Sequence, residues 1–459
     1  MYNAETTVAA LSTPPGKGGV ALIRMSGTRA IAIAEKCFVL RSGKPLSELP
    51  SRYAAYGDVI FEGAPIDDAI ITLFRAPHSY TGEDVVEICC HGGILLTETV
   101  LAALFAAGAE QAEAGEFTRR AMLSGRLSLT EAEAIGNLLE AGSRAGIRLS
   151  AAAARTRLAR ELEELHASLL TLISSLYAKI DYPEEDLSDL SNEEILSSLS
   201  DITARADKLL ATYRTGRAVA EGIPTVLCGA PNVGKSALYN ALCGEDLAIV
   251  TEHAGTTRDV LSNTVPIGKV MLRLFDTAGL RDADDPVERI GVDRSREKME
   301  QAELLLCVFD ATRALCEEEK ALLASLKATD ACKIILLNKS DLPQAIGAEV
   351  FADFEHVLAI SAKTGDGLGA LGDLIDHLFT DERIRLGEDA VIASARQFAA
   401  LSRAREAIGR ARDAFAAGLP ADIASSDLEV GLSALAELEG RAVNDEIISE
   451  IFRRFCVGK

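Results

Sequence analysis

The chain has 459 residues, enough for about three domains of ordinary size and a substantial buried core. With 47 Lys and Arg against 69 Asp and Glu, the formal net charge of −22 sets up a field that repels nucleic acid and anionic membranes, so any RNA contact must be local or supplied by a basic partner. Nine cysteines without a C-x-x-C pair exclude a zinc-ribbon spacing and a disulfide framework, and no apolar stretch approaches the roughly 18 residues of a membrane span, so a soluble, cytoplasmic protein with reduced thiols is expected.

Three textures follow one another along the chain. Residues 1–121 mix β-rich runs at 19–24 and 84–88 with an alanine-rich helical stretch over 97–107, the pattern of an α/β domain. Residues 122–216 read as helical, with capping boxes at Thr130 to Glu133 and Ser191 to Glu194 and a proline-bearing acidic break at 181–186. Residues 217–384 alternate short apolar runs with helical patterns, and helical texture returns over 385–459. The simplest organisation is an α/β domain inserted into a helical one.

The inserted segment carries three motifs, each at the end of an apolar run. Residues 224–229 read as a buried strand and Lys235 opens a helix, so Gly229, Asn232, Val233 and Gly234 form a loop whose N–H groups point at phosphate oxygens, with Ala237 in the first helical turn. Lys235 is placed to reach the β- and γ-phosphates, and the Ser236 hydroxyl to bind Mg2+. A second run, 270–275, ends in Asp276, Thr277, Ala278 and Gly279, and Asp276 is set to hold that Mg2+ directly or through water. A third, 333–337, ends in Asn338-Lys339-Ser340-Asp341, whose carboxylate accepts both N–H donors on the guanine edge and so selects GTP over ATP. The run 357–360 leads into Ser361, Ala362 and Lys363, a loop expected on the far side of the base. A phosphate loop alone can be a tight strand-turn-helix joint, but the three together indicate a Ras-like P-loop GTPase domain with a mostly parallel sheet, within a multidomain α/β plus α chain.

Other residues leave alternatives open. Leu280 follows Asp276-Thr277-Ala278-Gly279 where many small GTPases carry a water-orienting Gln, and Arg258, Arg281 and Arg289 cannot be singled out as an arginine finger. Glu288 is a candidate to position water, or it is a solvated charge on an acidic loop. Residues 13–19 resemble a second phosphate loop but lack a GKS or GKT ending and a preceding strand. His91, beside two glycines, reads as a loop residue rather than a base. Cys456, near Arg453, Arg454 and Lys459, is either a nucleophile or a small packing residue. Arg396, Arg403 and Arg410 share one side of a helix, as do Arg405 and Arg412; they are either paired with nearby acids or a phosphate-contacting stripe.

Over essentially its full length the chain resembles the MnmE (TrmE) family of tRNA-modification GTPases. The resemblance is carried by residues 13–20 with Arg24, Tyr80-Thr81-Gly82-Glu83-Asp84, His91-Gly92-Gly93, Gly115-Glu116-Phe117, the GTPase motifs, Gly255-Thr256-Thr257-Arg258-Asp259, and Cys456-Val457-Gly458-Lys459. It implies that Asn232 helps hold a K+ ion beside the phosphates, with Thr251, His253 and Thr256 completing the shell. Thr251, Thr256 and Thr257 would then join the GTP site, Thr257 would join Ser236 and Asp276 on Mg2+, and Glu288 would orient water through a second water.

The resemblance also implies that the N-terminal domain binds a reduced folate, 5-formyl- or 5,10-methylene-tetrahydrofolate, through Arg24, Glu87, Arg126 and Lys459, and that the protein is a homodimer. Its partners would be tRNA and the FAD-containing MnmG (GidA) protein. The implied function is a K+-stimulated GTPase that helps add aminomethyl or carboxymethylaminomethyl groups at C5 of the wobble uridine. A ribosome-assembly factor and a regulatory GTPase switch are the alternatives.

Overall fold

The computed structural model describes residues 6–155, 157–181, 191–244, 264–275, 301–441, 445–453 and 455–459. They fall into two compact units, one made of Met1–Gly136 with Glu439–Lys459 and the other of Asn137–Leu438.

The first unit is built on seven strands: β1 (Val8–Leu11), β2 (Gly18–Ser26), β3 (Phe38–Leu40), β4 (Ala54–Phe61), β5 (Ala64–Phe74), β6 (Val85–Gly92) and β7 (Glu110–Gln111). Their order in the sheet is β3-β4-β5-β6-β2-β1-β7, antiparallel except where β7 joins β1. The period of two sorts the side chains. Ala21, Ile23 and Met25 of β2 and Val86, Ile88 and Cys90 of β6 are buried in one core with residues of the helices Ala30–Cys37 and Ile94–Ala106. Arg24 and Glu87, directly opposite each other in the register, fall on the other face.

Three expectations are corrected here. His91 lies in β6 and not in a loop, because the pairing of β2 with β6 runs on to Gly92. A strand, β1, does precede residues 13–19; what rules out a second phosphate loop is that an antiparallel strand follows instead of a helix. The helix expected to open at Thr130 is Leu129–Glu140, capped two residues earlier: Ser128 Oγ accepts from Glu131 N at 3.2 Å, and Glu131 Oε2 accepts from Ser128 N at 2.7 Å. Leu129 is fully buried and belongs to the helical face, which draws the start forward. The box at Ser191 and Glu194 is present as expected.

Among its described residues the second unit has six strands: β8 (Ile223–Cys228), β9 (Thr264–Ile267), β10 (Val270–Leu274), β11 (Leu304–Asp310), β12 (Cys332–Asn338) and β13 (His356–Ala359). Their order is β13-β12-β11-β8-β10-β9, parallel except for β9 against β10. A central parallel strand is covered on both faces, and every residue of β11 is buried. Leu304, Leu306 and Val308 pack into one core while Leu305, Cys307 and Phe309 pack into another. Helices from both sides of this segment in sequence share a third core, in which Leu165, Leu172 and Leu199 meet Leu401, Ile408 and Leu428. Among the described residues no helix is long and apolar enough to cross a membrane.

Candidate nucleotide site and a second polar site

The loop after β8 takes conformations that its sequence permits. Gly229, Asn232 and Gly234 have φ of +151°, +63° and +101°, and a Cβ at Gly229 would lie 2.4 Å from the carbonyl oxygen of Val308. The loop feeds the helix Lys235–Cys243, so its N–H groups and the positive end of the helix dipole converge where an anion is stabilised. Lys235 Nζ lies across the loop, donating to the carbonyls of Gly229 and Ala230, both at 2.9 Å. Val233 is buried and anchors the loop, while Ser236 is half-buried and Ala237 exposed.

Asn338, at the end of β12, ties this loop to the rest of the site. Its Nδ2 donates to Val233 O at 2.8 Å, and its Oδ1 accepts from Ala362 N at 2.9 Å. Ser361 Oγ donates to Asp341 Oδ1 at 2.7 Å, so Asn338, Asp341, Ser361 and Ala362 are brought together; Lys363 is exposed beside them. Lys339 turns the other way and donates to Asp310 Oδ2 at 2.6 Å. Burial works to raise the Asp310 carboxyl, but hydrogen bonds from Lys339 and Thr312 prevail and hold it below its ordinary range. Asp310 was missed in the sequence, although an acid closing the apolar run Leu304–Asp310 was a visible signal. Thr251, His253, Thr256, Thr257, Asp276, Thr277, Ala278, Gly279 and Glu288 lie outside the described residues.

A second polar site occupies the outer face of the first unit's sheet. Arg24 donates from Nε and Nη2 to Glu87 Oε1 at 2.9 and 2.8 Å, and its guanidinium lies over the rings of Tyr80 and Phe117 at 5.4 and 5.7 Å. The tail reaches the same place through its backbone. Phe117 N donates to Lys459 O at 3.1 Å, Gly115 N to Cys456 O at 3.3 Å, and Ser12 Oγ to Gly458 O at 2.9 Å. Burial first, and then the charge of Arg24, push the Lys459 ammonium below its usual value. Arg24, Glu87 and Lys459 are therefore gathered; Arg126 is exposed, with its side chain beside Gly82. Cys456 is exposed, in contrast to Cys90, whose thiol burial pushes up to about 11.

Beneath this site Arg120, 1% exposed, bridges Glu83 at 3.0 Å and Glu116 at 2.7 Å and donates to Thr6 O at 2.9 Å. Tyr80, Glu83, Glu116 and Phe117 lie in motifs that carry the family resemblance, but their gathering around Arg24 and Arg120 is not legible in sequence, since the partners are remote in the chain. The arginines of the helix Ala395–Ala416 pair as the simpler alternative anticipated: Arg403 with Glu437, Arg405 with Asp207 at 2.8 Å, Arg410 with Asp427 at 2.8 Å and Arg412 with Asp413 at 2.9 Å, while Arg396 donates to Glu437 O at 3.1 Å.

Two family models cover the chain, one described as the GTP-binding protein TrmE N-terminus over residues 7–126 and one as the MnmE helical domain over residues 129–456. The chain belongs to the MnmE family. Curated relatives in that family carry the name tRNA modification GTPase MnmE. The protein of Symbiobacterium thermophilum is 40% identical over 462 residues, covering 99% of this chain and 100% of that protein. That of Geobacillus kaustophilus is 38% identical over 459 residues, covering 99% of each. That of Carboxydothermus hydrogenoformans is 36% identical over 461 residues, covering 99% and 100%. Membership in the MnmE family accounts for a P-loop GTPase domain lying within a helical one in the same chain as a TrmE-type N-terminus.

Proposed function

We propose that this chain is a GTPase acting in tRNA modification, and that with a flavoprotein partner it modifies C5 of the wobble uridine, position 34, of certain tRNAs. One observation carries the reading: a phosphate-binding loop and a guanine-recognition turn are tied together through Asn338 in a chain 36% to 40% identical, over 99% of its length, to proteins named tRNA modification GTPase MnmE. In this reading residues 1–121 bind reduced folate and dimerise, 217–384 form the GTPase domain, and 122–216 with 385–459 form the helical domain.

The loop N–H groups from Gly229 to Ala237 and the ammonium of Lys235 hold the phosphates, Asp341 takes the guanine edge, and Ser361, Ala362 and Lys363 flank the base. Ser236 offers a half-buried hydroxyl at the first helical turn, a hard oxygen donor of the kind Mg2+ takes, with Thr257 and Asp276 completing the set. Asn232, at φ +63°, together with Thr251, His253 and Thr256, would hold K+. When bound, the two cations supply the positive charge that developing negative charge on the phosphates requires. Glu288 orients the attacking water, the role that Leu280 cannot perform.

In the first unit the Arg24 and Glu87 pair against Tyr80 and Phe117, with Lys459 beside it, suits a ligand with ring N–H donors, a flat face and carboxylates, which are the features of a reduced folate. That group supplies a one-carbon unit when bound. Arg126 completes the contacts, and Cys456, exposed on the same tail as Lys459, is the candidate nucleophile of this site. The net charge of −22 supports a reading in which tRNA is held jointly with a more basic partner, and in this reading that partner is the FAD-containing MnmG and this chain acts as a cytoplasmic homodimer.

The deciding experiment is mass spectrometry of nucleosides from total tRNA of cells with and without the gene. C5-aminomethyl-type uridines should disappear without it and return with the wild-type gene but not with a Lys235→Ala copy. An unchanged profile would transfer the reading to ribosome assembly or to a regulatory switch. GTP turnover at matched ionic strength should be faster in K+ than in Na+, and equal rates would end the cation assignment.

A further inference from the structure

We propose that Asp310, at the end of β11 and outside every nucleotide motif, is a positioning residue for guanine-nucleotide binding, acting through Lys339. The inference rests on the GTPase reading above and adds a residue to it.

The turn after β12 needs an external grip. Lys339 sits at φ +66°, a left-handed conformation that is unfavourable for a residue with a side chain. Three side chains hold the turn. Asn338 ties it to Val233 in the phosphate loop and to Ala362, and Asp341 ties it to Ser361. Both of those grips end on loops. The third, Lys339 to Asp310, ends on a strand buried along its whole length. It is the turn's side-chain anchor to the rigid sheet.

Asp310 is itself held in one orientation. Its Oδ1 accepts from Thr312 Oγ1 at 2.7 Å and from Thr312 N at 3.0 Å, which leaves Oδ2 for Lys339 at 2.6 Å, with Arg313 Nε 4.0 Å away. The carboxylate is 8% exposed, so water competes weakly for it. The backbone repeats the alignment: Asp310 and Asn338 are register partners, and Ala311 N donates to Asn338 O at 3.1 Å. A long flexible ammonium that would otherwise sweep the mouth of the base site is thereby held against the sheet, and Asn338 and Asp341 on either side of it are preset.

The test is a double-mutant cycle on binding of fluorescent mant-GDP by the full chain. Asp310→Asn should weaken binding about tenfold, the size of one charge-assisted hydrogen bond, and raise KM for GTP by the same factor, with kcat at saturation changed less than about twofold. Lys339→Ala should weaken it similarly, and the double variant should be no weaker than Lys339→Ala alone. Asp310→Glu should recover part of the loss. Wild-type affinity in Asp310→Asn, or independent multiplication of the two effects, would overturn the proposal.

If Asp310→Asn does not fold, Thr312→Val keeps the charge while freeing its orientation. It should weaken binding about threefold in the wild type and not in Lys339→Ala; an equal loss in both would overturn the proposal. A wild-type chain that bound no mant-GDP would remove the nucleotide reading itself, and this inference with it.

Discussion

In the parallel sheet of the second unit, the groups assigned to the nucleotide sit on loops at the same end of neighbouring strands, and several of them are backbone atoms. In the antiparallel sheet of the first unit, the polar site is assembled from side chains of β2 and β6, from Tyr80 in a connecting segment, from Phe117 in the helix Glu116–Leu123, and from a tail more than three hundred residues further along the chain. A site made from one contiguous loop leaves a linear motif. A site made across strands leaves only scattered charged and aromatic residues. The difference also separates what each site tolerates, since the first depends on backbone conformation and the second on buried charge and on docking of the tail.

The largest effect should come from testing the backbone. Gly229→Ala forces a Cβ to 2.4 Å from Val308 O at φ +151°, and nucleotide affinity by calorimetry should fall at least about a hundredfold. A variant that still bound normally would break the comparison. Next is the buried charge of the other unit. Arg120→Met leaves Glu83 and Glu116 without their partner and should cost about 3 kcal/mol in denaturant unfolding of the first unit, with GTP hydrolysis by the folded protein unchanged.

Gly458→Ala probes the docked tail: the new Cβ would lie 2.2 Å from Leu11 O at φ +99°, so amide exchange at Phe117, whose N–H is held by Lys459 O, should quicken about tenfold or more. Unchanged exchange would mean that the tail does not secure this site.

The smallest effect concerns His91, whose Nδ1 donates to Asp67 Oδ1 at 2.7 Å, a hydrogen bond that raises its pKa above the ordinary 6.5. The stabilisation is fully present below 6.5 and is lost as pH rises through the raised folded value. An NMR titration of the imidazole should show the higher midpoint in the wild type and its return in Asp67→Asn.

Much of the second unit was legible in sequence. The apolar runs ending in Gly229, Asn338 and Ser361 are strands with the expected loops, because a buried parallel strand is a continuous apolar run and its functional loop follows directly. Asp310 escaped notice because its partner, Lys339, is on the neighbouring strand's loop, and register is not written in either run alone. In the first unit the strands around Arg24 and Glu87 were visible, yet their pairing was not, for the same reason. His91 was misplaced because Gly92 and Gly93 look like a loop, whereas Gly92 is needed where a Cβ would lie 2.4 Å from Gly18 O. Thr130 reads as a cap in sequence because Ser128-Leu129-Thr130-Glu131 and Thr130-Glu131-Ala132-Glu133 both fit the box, and only the burial of Leu129 decides between them.

The division of the first unit into Met1–Gly136 and Glu439–Lys459 has a consequence for biosynthesis. At about 5–20 residues per second, the roughly 300 residues between these segments keep them apart for about 15–60 s of translation. During that interval the Phe117 amide lacks its acceptor at Lys459, and Ala132 lacks the Ile448, Phe452 and Phe455 side chains that it packs against in the finished protein. The entire parallel sheet can meanwhile emerge and close, since all of its strands lie in the intervening segment. The first unit to leave the ribosome is thus the last to be completed, and in a nascent chain stalled before residue 439 Ala132 and the Phe117 amide still await the partners that residues 439–459 supply.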